Sequence, residues 1–252
     1  VLKNFRKRFH GFLRWLIAAG KCAIAAFVPL RPQTAESTMT ITYPLPTSFF
    51  DEFPGWSTDF QLLWRQEQSR TAGGQTVVKD LGSPLWQMTA QSRSMKPNEL
   101  DYWRARLTSL ENGLKTFRAF PKSRCFPVAY PNGSWPTGGA FSGVGQVATI
   151  ASNRKAISLS GLPAGYKVSV GDYIQIGDKD LHMVMEPVTA SGGGVTTQFE
   201  VRPHLWPGVV APVSVTLVKP ACIMAIVPGS ISTTADMATG RGTVTFQAIE
   251  AR

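Results

Sequence analysis

The stretch YKVSVGDYIQIGDKDLHMVM, residues 166–185, decides the fold. It contains three short runs, 166–170, 172–176 and 181–185, in which apolar and polar residues alternate. A period of two puts every second side chain on one face, the mark of a half-buried strand. Gly171 and Gly177-Asp178 interrupt the runs where turns belong. Working outward, the pattern recurs at 156–159, 195–201 and 213–218, punctuated by Gly161, Gly165, Gly192-Gly193-Gly194 and Pro207-Gly208. Short strands with regular turn signals predict a small all-β barrel or sandwich, here assigned to residues 144–218.

The residues before 144 predict a first domain, and the tail after 218 adds further strands. Leu100, Trp103, Leu107, Leu110 and Leu114 recur at steps of three and four, which gives one apolar helical stripe. Pro97 and Asn98 suit its first turn, Glu99 and Asp101 its positive end, and Gly113 its termination, so the helix is expected over about 97–112. Strand patterns at 60–64, 76–78 and 85–92 precede it; those at 116–120, 223–227 and 243–249 follow. One helical stripe covers one sheet face. The expected fold is therefore mainly β: a split-barrel or sandwich domain capped by one amphipathic helix, together with a small all-β domain.

Composition agrees. The chain has 252 residues, 43% apolar and only 17% charged, with Gly, Ser, Thr and Pro filling the gap. Its formal charge of +10 invites a nucleic-acid reading. Residues 1–38, however, hold seven basic residues against Glu36, leaving +4 for the remainder. Lysines and arginines scattered singly do not make a phosphate-tracking stripe. Arg14 and Lys21 also split the apolar tract of that first segment below the roughly 20 residues a spanning helix needs. Residues 1–38 are read as an upstream extension or signal-like segment, with Met39 as a natural beginning. A signal or membrane anchor and a basic amphipathic helix are the alternatives.

Chemistry is scarce. Cys22, Cys125 and Cys222 show no paired spacing, and no zinc ligand set is visible. Cys222 lies in an apolar run and reads as a buried thiol; a Cys125–Cys222 bridge stays open, although a reduced, cytoplasmic setting fits better. His182 falls within a strand pattern and His204 in a turn, neither with a partner at triad or ligand spacing. Gly177-Asp178-Lys179-Asp180 lacks the closing Glu of a calcium loop and reads as a hairpin turn. The triple glycine at 192–194 lacks the Lys-Ser/Thr of a phosphate loop. No catalytic, metal or cofactor-binding residue is assigned, no cofactor is expected, and the chain is expected not to be an enzyme. Trp56, Trp64, Trp86 and Trp103 sit in periodic apolar context and are assigned to core packing. Trp135 and Trp206 lie in Pro/Gly loops and are kept as candidate contact residues.

Two stretches carry a family resemblance. Pro84-Leu85-Trp86-Gln87, the run MKPNELDYWRARL at 95–107, Leu110-Glu111-Asn112-Gly113 and Phe117 resemble the distal tail proteins of tailed bacteriophages and phage-like gene transfer agents. In that family a strand leads to a helix whose end feeds a short strand. Leu159-Ser160-Gly161-Leu162-Pro163-Ala164-Gly165, Val170-Gly171-Asp172-Tyr173-Ile174, Leu181-His182, Glu200-Val201-Arg202-Pro203 and Leu217-Val218-Lys219-Pro220 are similar to the β-domain many such proteins carry. The resemblance implies a structural virion component of the tail, assembled in the bacterial host cytoplasm. It implies a self-associating ring, commonly a hexamer, that joins the tail-tube protein to hub and tip proteins. The tape-measure protein and DNA would pass through without sequence-specific contact, residues 39–143 together with 219–252 would form the ring, and 144–218 would be an inserted small all-β domain facing outward. Two rival readings remain: a carbohydrate- or receptor-binding β module that grips a host surface glycan, and a secreted or envelope-anchored β protein.

Overall fold

The computed structural model describes residues 41–136 and 141–252. The expectations for residues 1–38 lie outside the described residues. In chain order the elements of the first half are α1 (Thr47–Glu52), β1 (Gly55–Leu63), β2 (Gln66–Arg70), β3 (Thr76–Asp80), β4 (Leu85–Ser92), α2 (Pro97–Thr108) and β5 (Thr116–Ala119). The second half contributes β6 (Val144–Ile150), β7 (Ala156–Ser160), β8 (Lys167–Val168), β9 (Tyr173–Ile176), β10 (Asp180–Val184), β11 (Val188–Thr189), β12 (Phe199–Arg202) and β13 (Val213–Thr216). The chain then closes with β14 (Cys222–Ile226), β15 (Ser232–Ala235) and β16 (Gly242–Glu250).

The fold is mainly β, a helix-capped sheet joined to a closed barrel. The sheet runs β1-β4-β16-β14-β5, with β15 beside β14 along the same edge of β16. Alternation decides which face is covered. Trp86, Met88 and Ala90 of β4, and Val244, Phe246 and Ala248 of β16, point into the core. Leu100, Trp103 and Leu107 of α2 close over them. Phe49 of α1 meets Trp103 and Phe117 edge-on at 5.7 and 5.3 Å, and Phe53 meets Trp103 and Phe246 at 5.2 and 5.4 Å. Each such buried ring removes a large apolar area from water, so this cluster dominates the sheet domain's stability.

The helix is shorter than the stripe predicts. It ends at Thr108, where the Thr108 and Ser109 hydroxyls donate to the carbonyls of Arg104 and Arg106. Glu111, Asn112 and Gly113 then take positive φ. Gly113 is required there, because a Cβ would lie 2.4 Å from the Ile226 carbonyl oxygen. Leu110 is still buried, but Leu114 falls beyond this turn and is 79% exposed.

The barrel closes in the order β10-β12-β7-β6-β13-β9, with β8 and β11 paired outside it. Its interior holds Val147, Ile157, Leu159, Ile174, Phe199, Val201 and Val215. The alternating runs at 156–159, 172–176, 181–185, 195–201 and 213–218 each contain a barrel strand, whereas 166–170 yields only the two-residue β8. Strand β6 falls outside every alternating run the sequence singles out. The Asp178-Lys179 pair forms the β9–β10 turn, as predicted. Both described thiols are free, Cys125 half-buried and Cys222 buried.

Candidate functional site

Two regions depart from ordinary packing. The first is an arm. Strand β1 runs through Trp64 and Arg65 into β2, turns at 71–75 and returns as β3, and every residue from Leu63 to Leu81 is exposed. The ribbon is in register from Gln66↔Asp80 to Arg70↔Thr76, closed at its base by Leu81 N–H donating to Arg65 O at 2.8 Å. At about 3.3 Å per residue it extends on the order of 25 Å from the sheet. A two-stranded ribbon with no covered face is marginal in water. Its register places Val77, Lys79 and Leu81 on one face beside Ser69, Glu67 and Arg65, and Val78 and Asp80 on the other. The assignment of all four periodic tryptophans to the core is corrected here. Trp86 and Trp103 are 1% and 3% exposed, but Trp56 and Trp64 are 80% and 52% exposed. Trp56 is the bulged residue of β1, between Gly55, which pairs with Ser92, and Ser57, which pairs with Gln91, and Trp64 falls where the ribbon leaves the sheet.

Among the described residues, the outer edge of β1 pairs with no strand, and its only charge is Asp59. Strand β15, with sequence STTA and no charge, is likewise exposed throughout. Solitary domains usually protect such edges with lysine, proline or a covering element.

The second region is the junction of sheet and barrel. Trp86 donates its backbone N–H to Glu250 Oε2 at 3.0 Å and its indole N–H to Leu181 O at 2.7 Å. Arg252 bridges Asp180 Oδ1 at 3.1 Å and Glu250 Oε1 at 2.6 Å, with its guanidinium 4.0 Å from the centroid of the Trp206 ring. Burial pushes the Glu250 carboxyl up, against the pull of Arg252 and the Trp86 N–H. His182 is fully buried, and its Nδ1 lies 2.7 Å from Pro203 O. A carbonyl can only accept, so Nδ1 carries the proton. Burial pulls this imidazole down to about 4, leaving it neutral at pH 7. It is a packed histidine.

Trp206 sits on a loop fixed from below. Arg154, at a φ of 56°, donates Nε to Leu205 O at 3.1 Å and Nη2 to Val209 O at 2.8 Å, and also reaches Trp206 O. The ring is half-buried and, with Asp180, Lys179, Val209 and Arg252, borders a cavity of about 290 Å³. An adjoining hollow of about 510 Å³ shares Lys179, Asp180, Gly208 and Val209 with it and continues along Val210, Pro212 and Val213. Trp135 is placed elsewhere, among Tyr130, Phe141 and Tyr166 with centroids 5.0–6.1 Å away, packed against the barrel core. The two candidate tryptophans are therefore not brought together.

Asp172 of the Gly-Asp-Tyr stretch has a structural role that sequence left unassigned. Its two oxygens accept from Val128 N–H at 2.6 Å and Ser169 N–H at 2.8 Å, pinning the segment after β5 to the barrel. Among the described residues no group of His, Cys, Asp and Glu is arranged to hold a metal ion. No helix of the described residues is long and apolar enough to cross a membrane. The chain matches no protein-family model. It matches no curated protein.

Proposed function

We propose that this chain is a non-enzymatic structural subunit, a distal tail protein that joins the tail tube of a tailed phage or prophage to its tip hub by assembling into a ring. The observation that carries the reading is the arm: nineteen residues from Leu63 to Leu81, all exposed and in strand register over much of their length. Such a ribbon gains stability only when another surface covers it. The open, weakly charged edges of β1 and β15 support the same reading, because a closed ring uses up strand edges between neighbours. The local resemblance of 84–117 and 159–220 to distal tail proteins supplies the specific identity.

The test is the mass of the purified chain by light scattering across concentration, together with its binding to a tail-tube protein. The reading expects a ring of defined stoichiometry and tube binding; a monomer that binds no tube protein would refute it. The carbohydrate-binding alternative rests on the cavity at Trp206, where Asp180 and Lys179 could meet hydroxyl groups. Against it, Arg252 already occupies one face of the indole on which a sugar would stack. Glycan binding abolished by Trp206→Ala would revive it.

A further inference from the structure

We infer that the arm of one copy seats its Val77-Lys79-Leu81 face in the hollow between the β9–β10 turn and residues 208–213 of a second copy. The inference rests on the self-association proposed above and names its two surfaces.

The donor face is set by register. Val77, Lys79 and Leu81 alternate onto one side of β3, with Glu67 directly across from Lys79. Cross-strand neighbours stand about 5 Å apart, so this face presents an acid and a base side by side between two exposed apolar residues. The acceptor has the same composition in mirror. Val209, Val210 and Val213 form an apolar wall, and Val210 is among the most exposed aliphatic side chains described. Asp178 and Lys179 stand next to each other on its rim, both exposed. Seated together, Lys79 meets Asp178, Glu67 meets Lys179, and the valines and Leu81 cover the wall. Among the described residues neither Lys79, Glu67 nor Lys179 has an ion-pair partner of its own, and Asp178, although paired with Arg118, keeps its side chain 80% exposed. The acceptor is also rigid. Arg154 fixes residues 205–209 through three carbonyls, and Arg118 donates to both the Asp178 carbonyl and its carboxylate. A preorganised acceptor spares the ordering cost that weakens most loop-built contacts. A second copy is the occupant favoured by this match of charge and apolar pattern, since both halves come from one sequence.

The experiment exchanges charges in the full chain. Glu67→Lys with Lys79→Glu, and separately Asp178→Lys with Lys179→Asp, should each weaken assembly roughly tenfold, because like charges then face each other. All four substitutions together should restore assembly to near the parent level. Thermal melting checks that each variant is folded. As an independent reading, a Val77→Cys chain mixed with a Val210→Cys chain should cross-link on oxidation far more than either alone. If the parent assembles but charge exchange has no effect, or the combined variant is not restored, this joint is wrong while the ring reading stands. If the parent remains a monomer at every concentration, the ring reading falls and the joint with it.

Discussion

Strands β1 and β4 and strands β2 and β3 belong to one continuous hairpin, yet its two halves obey different rules. At the base, β4 buries Trp86, Met88, Ala90 and Ser92 and half-buries Gln87 and Thr89, leaving only Gln91 exposed between them. Beyond Leu63 the same hairpin buries nothing, although β3 carries two adjacent valines. Strand formation and burial are thus separate properties. Alternation and β-branched residues shape the backbone of both halves, but only the base has α1, α2 and the sheet to cover it. On the proposed reading, the tip is a strand pair whose covering surface belongs to another molecule; within the described chain nothing covers it.

That contrast can be broken or sharpened by substitution on either side of the boundary. The largest effect is expected at the base. Trp86→Ala removes a buried ring that touches Phe60 and Tyr173 and a hydrogen bond to the barrel, and should cost about 4 kcal/mol in denaturant unfolding. A loss below about 1 kcal/mol would mean the base is no better packed than the tip.

The next effect comes from His182. Its folded value near 4 lies below the ordinary 6.5, so the unfolded chain takes up a proton that the folded chain refuses. Stability from this group is intact above pH 6.5 and is lost as pH falls toward 4, by roughly 3 kcal/mol in total. Burial raises Glu250 and Asp172, which act with the opposite sign, favouring the folded state as they protonate. Comparison with His182→Gln isolates the imidazole: the stability difference between the two chains should narrow on acidification, and a constant difference would contradict its burial. Asp172→Ala leaves two backbone N–H groups without their acceptor and should cost about 2 kcal/mol, measured the same way.

The smallest effect on stability should be in the arm. Val77→Ser with Leu81→Ser changes only exposed residues, so unfolding should shift by no more than about 0.5 kcal/mol while self-association falls. An arm that matters to stability as much as Trp86 does would erase the contrast.

The legible part of the molecule was the part with a period. The runs around Gly171 and Gly177 located β9 and β10, and Leu100, Trp103 and Leu107 located α2 and its buried face. Short elements escaped: α1 spans six residues, too few for a helical period, although its Phe49 and Phe50 are central to the core. The helix end was overread because Leu114 keeps the spacing while the chain has already turned at Glu111. Trp135 looked exposed from its Pro/Gly surroundings, yet an aromatic cluster gathers it in. The Arg252–Asp180–Trp206 junction joins residues far apart in sequence, and no local pattern announces it. Exposure of the arm was hidden for the opposite reason: its valines and Trp64 look like core residues, yet no element of the described chain folds over them.

The decisive measurement replaces residues 66–80 with a short Gly-Ser turn and compares solution mass and melting temperature with the parent chain. A self-assembling parent and a shortened chain that melts at the same temperature but stays monomeric is the predicted pair of results. A shortened chain that assembles as well as the parent, or that no longer folds, would contradict an arm built for a neighbouring molecule.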